Sequence, residues 1–247
     1  MVRKTLITIA LLLVIGFSGF FVWVKVQSGG NESSYFVQHL RPWLTRSVTG
    51  RFLFDLHGAG DARREFLHAG NQIELVIASM TGLAPSAPVG EQLANRMAQA
   101  TGNSVTATFS DQAIPYTDKV AEDRLAVLLD DLSPRSWRPA KFYVFFLSRA
   151  TERQTLLGLT YRENAAVVFT DTIKSDFKNK APLQSSFMIS TALHEFGHQL
   201  GLDHNNQPGC LMNESADVST WYGFDPRVVT NFCNFEKQEL AQIKVRP

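Results

Sequence analysis

The sequence predicts an α/β (α+β) fold: a twisted, mostly parallel sheet with one antiparallel edge strand, preceded by an amino-terminal transmembrane helix. Three observations carry this. From residue 71 onward, strand-like apolar runs alternate with segments of helical periodicity, the pattern of a parallel sheet covered by helices. Two apolar runs flank Arg162-Glu163-Asn164, which reads as a hairpin and places one antiparallel member in the sheet. Thr5 to Val24 is a twenty-residue run without a charge, long enough as a helix to cross the ~30 Å hydrocarbon core of a bilayer.

Arg3 and Lys4 precede the apolar run, Lys25 follows it, and Trp23 sits where an interfacial aromatic would. Positive charge before a first apolar segment favours an inside amino terminus. The expectation is a signal-anchor in residues 1–27, with the remainder on the extracytoplasmic side of a single-pass membrane protein. Secretion after signal cleavage is the first alternative, and a buried globular helix the last. A signal's apolar region usually spans only ~7–15 residues before a small-residue cleavage site. Here Gly16 to Gly19 is followed by five more apolar residues, Phe20 to Val24.

Residues 28–34, Ser-Gly-Gly-Asn-Glu-Ser-Ser, read as a flexible linker, and residues 35–247 as one domain. Residues 35–70 give no clear pattern and could be a prodomain, a stalk or part of the core. Beyond them, Gln72–Met80 reads as a strand. Gly90–Ala100 reads as a helix with Leu93 and Met97 on one face, and Ser104–Phe109 as an alternating strand. Lys119–Leu132 has helical periodicity, and Lys141–Leu147 is a buried strand. Leu156–Tyr161 and Ala165–Thr170 form the hairpin, and a long helix begins near Gln184.

The composition, 45% hydrophobic and 19% charged, excludes chain-wide disorder. Residues 1–27 hold Arg3, Lys4 and Lys25 and no acid, so the remainder of this +1 chain is net −2. That gives no electrostatic case for a nucleic-acid partner. Two cysteines are too few for a disulfide scaffold.

Residues 194–204 read His-Glu-Phe-Gly-His-Gln-Leu-Gly-Leu-Asp-His. Positions four apart lie on one face of a helix, so His194 and His198 point the same way and can take two corners of a zinc tetrahedron. Gly201 accepts a left-handed φ at little cost and gives the helix a place to stop. His204 can then return to the same ion as third ligand, and the fourth corner is left for water. Ile189, Leu193, Phe196 and Leu200 recur on the opposite face as the anchor to the core. Three neutral imidazoles leave zinc its full charge. Water activated by the ion then hydrolyses a peptide bond, with Glu195 as general base. Each histidine's other nitrogen should donate to a carbonyl or a carboxylate; the sequence does not single one out, and Asp203 is one candidate. Two rival functions use the same apparatus: a zinc hydrolase of a non-peptide amide or ester, and a catalytically silent peptide-binding module.

The motif resembles that of the metzincin clan of zinc peptidases. The resemblance implies their fold: the twisted sheet with its antiparallel edge, an active-site helix, and a carboxyl-terminal subdomain after the zinc motif. It also implies a methionine turn beneath the metal, for which Met212 is suited. The closer resemblance is to the archaemetzincins. Their four further cysteine positions fall here on Asn205, Cys210, Thr230 and Cys233. In that family these thiolates hold a second, structural zinc. Two thiolates cannot close such a site, so one catalytic zinc and no second zinc is expected. Ligands of a shared zinc are close in space, so Cys210 and Cys233 either pair as a disulfide or remain two buried thiols. The likeness further suggests that Gly158 and Leu159, on the antiparallel edge strand, bind an extended peptide. It also suggests Tyr222 as an oxyanion stabiliser or, with Trp221, a pocket wall.

Overall fold

The computed structural model describes residues 2–28, 36, 40–134, 140–178, 180–213 and 228–245. The chain divides into two compact units, Met1–His57 and Gly58–Pro247.

The first unit contains helices α1 (Val2–Ser28), α2 (Arg41–Leu44) and α3 (Val48–Phe54). Ser47 caps α3 by accepting from the Gly50 amide at 2.9 Å. Among the described residues no helix is long and apolar enough to cross a membrane. This corrects two expectations: the transmembrane helix in the fold, and single-pass membrane localisation with attachment through residues 1–27. The carboxyl-terminal part of α1 spends apolar surface on protein. Val24 is fully buried with Phe36, Leu44, Phe54 and Leu56, and the rings of Phe17, Phe20 and Phe21 all lie against Phe54. The linker expected at 28–34 lies outside the described residues apart from Ser28.

The second unit begins with α4 (Arg63–Leu67) and is built on a sheet of β1 (Gln72–Ser79), β2 (Ser104–Phe109), β3 (Ala140–Leu147), β4 (Gly158–Tyr161) and β5 (Ala165–Phe169). Its order is β2-β1-β3-β5-β4. All pairings are parallel except β4 with β5, so the antiparallel strand is at one edge. The β4–β5 turn is Arg162-Glu163-Asn164, with Arg162 at φ 56°.

Side chains alternate across a strand, and here both faces are covered. Phe142, Val144 and Phe146 of β3 enter one core with Ile73, Leu75, Ile77, Ala166 and Val168. Tyr143, Phe145 and Leu147 enter the other with Ala165, Val167 and Phe169. Burial on both sides explains why β3 is an unbroken apolar run.

Helix α5 (Ala87–Thr101) covers the first face. It ends at Gly102, whose φ of 73° lets its amide close on the Ala98 carbonyl. The helix expected over 119–132 is shorter: a 3₁₀ turn at Glu122–Arg124 followed by α6 (Leu125–Leu129). Val120 instead makes an extended bridge with Ala150, donating to Arg149 O at 2.8 Å. That pairing draws the first residues of the periodic stretch into strand-like backbone. Helices α7 (Thr170–Asp176), α8 (Ala181–Gln199) and α9 (Asn234–Val245) complete the unit.

Candidate metal centre

Helix α8 runs across the first face of the sheet. Ile189, Leu193, Phe196 and Leu200 are buried in that core, and the Phe196 ring lies 4.9 Å from that of Phe142. Anchoring this stripe turns His194 and His198 to the opposite side. The helix then ends in a Schellman turn. The Leu202 amide bonds to Gly197 O and the Gly201 amide to His198 O, both at 3.0 Å. Gly201 has φ 88°, the left-handed position this motif requires. The reversal brings His204 back beside the helix.

The three imidazoles meet. His204 Nε2 lies 3.0 Å from His194 Nε2 and 3.2 Å from His198 Nε2. Nitrogens at the corners of a zinc tetrahedron sit about 3.3 Å apart, given Zn–N bonds of ~2.0–2.1 Å. The opposite ring nitrogens of two histidines are engaged. His194 Nδ1 donates to Leu211 O at 2.8 Å and His198 Nδ1 to Leu202 O at 2.9 Å. With the proton held at Nδ1, each Nε2 presents a lone pair to the same point. Facing lone pairs repel unless a cation lies between them, so the donor set fits a zinc ion. Both acceptors are main-chain carbonyls, and for these two histidines Asp203 is not the partner. Burial pushes the His198 pKa down, and repulsion by its imidazole neighbours adds to this, against a raising contribution from Glu195.

Glu195 is buried beside the cluster. Its Oε2 accepts from Thr160 Oγ1 at 2.7 Å. Burial raises its carboxyl pKa, while the Thr160 hydrogen bond and the nearby histidines pull it down. Thr160 and Gly158 belong to β4, so the edge strand lies directly on α8. A Cβ at Gly158 would come within 2.4 Å of Thr191 Cγ2 and 2.8 Å of Glu195 Oε1. Glycine there is what lets strand and helix approach.

A cleft of about 450 Å³ opens between β4 and α8. Gly158, Leu159 and Thr160 form one wall and the histidines and Glu195 the floor, with Leu157, Phe187 and Leu211 supplying apolar surface. Arg153 stands at its rim, paired through two 2.7 Å contacts with Glu122.

Met212 is fully buried beneath α8. A Cβ at Gly197 would sit 2.3 Å from its sulfur, so the glycine inside the histidine motif makes room for the methionine. Cys210 and Cys233 are joined by a disulfide. Sequence reasoning passed over Gly197, Thr160 and Glu236. Gly197 occupies an unspecified position of the motif, and Thr160 carries no local signal at all. Tyr222 and Trp221 lie outside the described residues.

Residues 149–242 match the family model described as Peptidase family M54. Archaemetzincins of Saccharolobus solfataricus and Saccharolobus islandicus are each 39% identical to the chain over 66 residues, which is 26% of this chain and 36% of theirs. The chain thus spans about a third of the length of these relatives. The crystal structure of archaemetzincin from Methanopyrus kandleri superposes with a TM-score of 0.51 at 17% identity, over 72% of this chain and 98% of that one. It shares the mixed α/β fold with its mostly parallel sheet. The chain is similar to archaemetzincins, and the likeness to Peptidase family M54 lies in residues 149–242.

Proposed function

We propose that the chain is a zinc-dependent metallopeptidase that hydrolyses peptide bonds in the cleft between β4 and α8. The observation that carries this reading is the convergence of three Nε2 atoms, from His194, His198 and His204, on one point beside Glu195. When bound, zinc supplies Lewis acidity, polarising a carbonyl and making water acidic enough to attack near neutral pH.

The remaining work falls to this chain's side chains. An extended substrate lies along the free edge of β4 at Gly158 and Leu159, pairing its main chain as an added strand. Glu195 takes a proton from the attacking water and passes it to the leaving amine. Burial supports that double role, because it raises the carboxyl pKa towards the range where the group both accepts and releases a proton. Thr160 fixes the rotamer. The apolar surface of Leu157, Phe187 and Leu211 favours an apolar side chain next to the scissile bond. One zinc per chain is our reading, since the Cys210–Cys233 disulfide leaves neither sulfur as a thiolate ligand.

Glu195→Ala tests the proposal. Cleavage of a peptide library is expected to fall to background while zinc content stays near one per chain. Peptide cleavage that survives the substitution would contradict the reading.

A further inference from the structure

We propose that Glu236 is a positioning residue for the metal centre: its buried carboxylate sets the orientation of His194 and His204 through the main chain of residues 205–212. The inference rests on the reading that the three histidines hold zinc.

Glu236 is fully buried, and a buried carboxylate is costly unless its oxygens are hydrogen-bonded. Four donors meet it. Oε1 accepts from the Met212 amide at 2.6 Å and from Asn205 Nδ2 at 3.2 Å. Oε2 accepts from the Cys233 amide at 2.8 Å and from the Leu211 amide at 3.2 Å. Four donors match the lone-pair capacity of an ionised carboxylate. The Cys233 contact is the back-bond of a capping box, since Glu236 is the third residue of α9. The other three go well beyond what a helix cap needs.

Those three lead to the histidines. The Leu211–Met212 peptide is gripped on both sides: its N–H, that of Met212, by Glu236 Oε1, and its carbonyl, that of Leu211, by His194 Nδ1. Asn205 is the residue after His204. Its side chain holds Glu236 while its amide donates to Met212 O at 2.8 Å. One carboxylate therefore joins the methionine turn, the segment carrying His204 and the start of α9. The Cys210–Cys233 disulfide ties only the methionine turn to the start of α9, and it leaves the rotation of the Leu211–Met212 peptide free. The carboxylate sets that rotation, and with it the direction of the His194 ring.

Glu236→Gln is close in shape but replaces one acceptor oxygen with an NH₂ that must face N–H donors, so part of the network breaks. The readouts are zinc affinity by competition with a chelator and the visible spectrum of the cobalt(II)-loaded protein, neither of which needs substrate. We expect about 10–100-fold weaker zinc binding, the range for residues that orient a metal's ligands, with shifted cobalt bands. A folded Glu236→Gln protein with wild-type affinity and wild-type bands would overturn the proposal, even if its melting temperature had fallen. If that variant does not fold, Asn205→Leu removes one donor from a partly exposed position. A several-fold loss of affinity with altered bands supports the proposal, and no change in either overturns it. A wild type that binds zinc at the histidines yet cleaves no peptide would defeat the peptidase reading alone.

Discussion

Thr160 donates its hydroxyl proton to Glu195 Oε2 at 2.7 Å, tying the edge strand of the sheet to the helix that carries the histidines. The link fixes one carboxylate oxygen, and the proposed mechanism uses the other. A hydrogen bond to a charged acceptor contributes ~1.5–3 kcal/mol. Thr160→Val is therefore expected to lower kcat by about ten-fold or more, since ~1.4 kcal/mol is a factor of ten. Thr160→Ser keeps the hydroxyl and should retain most of the rate. Steady-state kinetics on both variants checks this, and equal losses in the two would remove Thr160 from the account.

Gly158 makes a second, steric demand on the same contact. Alanine there would press on Thr191 and on Glu195 Oε1. Overpacking of this kind costs roughly 1–3 kcal/mol. Gly158→Ala should lower the melting temperature and, on the proposed mechanism, also depress activity, because relief of the clash displaces the Glu195 carboxylate. A variant with wild-type stability and rate would show that the strand can retreat without consequence.

Much of this was legible in the sequence, for identifiable reasons. The run of β3 announced a strand buried on both faces, and Arg162-Glu163-Asn164 marked the antiparallel turn. The spacing of His194, His198 and His204 signalled a shared face and a return past Gly201, and the φ of 88° there is what such a turn needs. What escaped depends on distance in the fold. Val120 pairs with Ala150 thirty residues on, and that contact overrode its helical pattern. Glu236 meets donors at positions 205, 211 and 212, which no local pattern connects. Hydropathy alone misjudged α1, whose later turns bury Val24 against Phe36 and Phe54.

The disulfide offers a thermodynamic check. Cys210 and Cys233 are separated by 23 positions, and closing a loop of that length stabilises by about 3 kcal/mol in the chain-entropy model. Denaturant unfolding of the zinc-loaded protein with and without reductant should show a loss of that order. Mass spectrometry of the unreduced protein should find no free thiol, and two free thiols would end the idea.

Acid should strip the metal. Ligand imidazoles must be neutral, and an ordinary histidine titrates near 6.5. Zinc affinity is expected to fall steeply as the pH drops through about 6. The depressed pKa of His198 has a further consequence for the apo-protein. Below its ordinary 6.5 the unfolded chain takes up the proton before the folded one does. Stability present above that pH is then lost as the pH falls through the folded value. Zinc retention unchanged down to pH 4 would argue against a three-histidine site.

The most direct test is X-ray absorption at the zinc edge of the loaded protein, combined with metal analysis. The account predicts one zinc per chain, surrounded by three imidazole nitrogens and a single further light atom. A sulfur ligand, or a shell with fewer than three imidazoles, would contradict it.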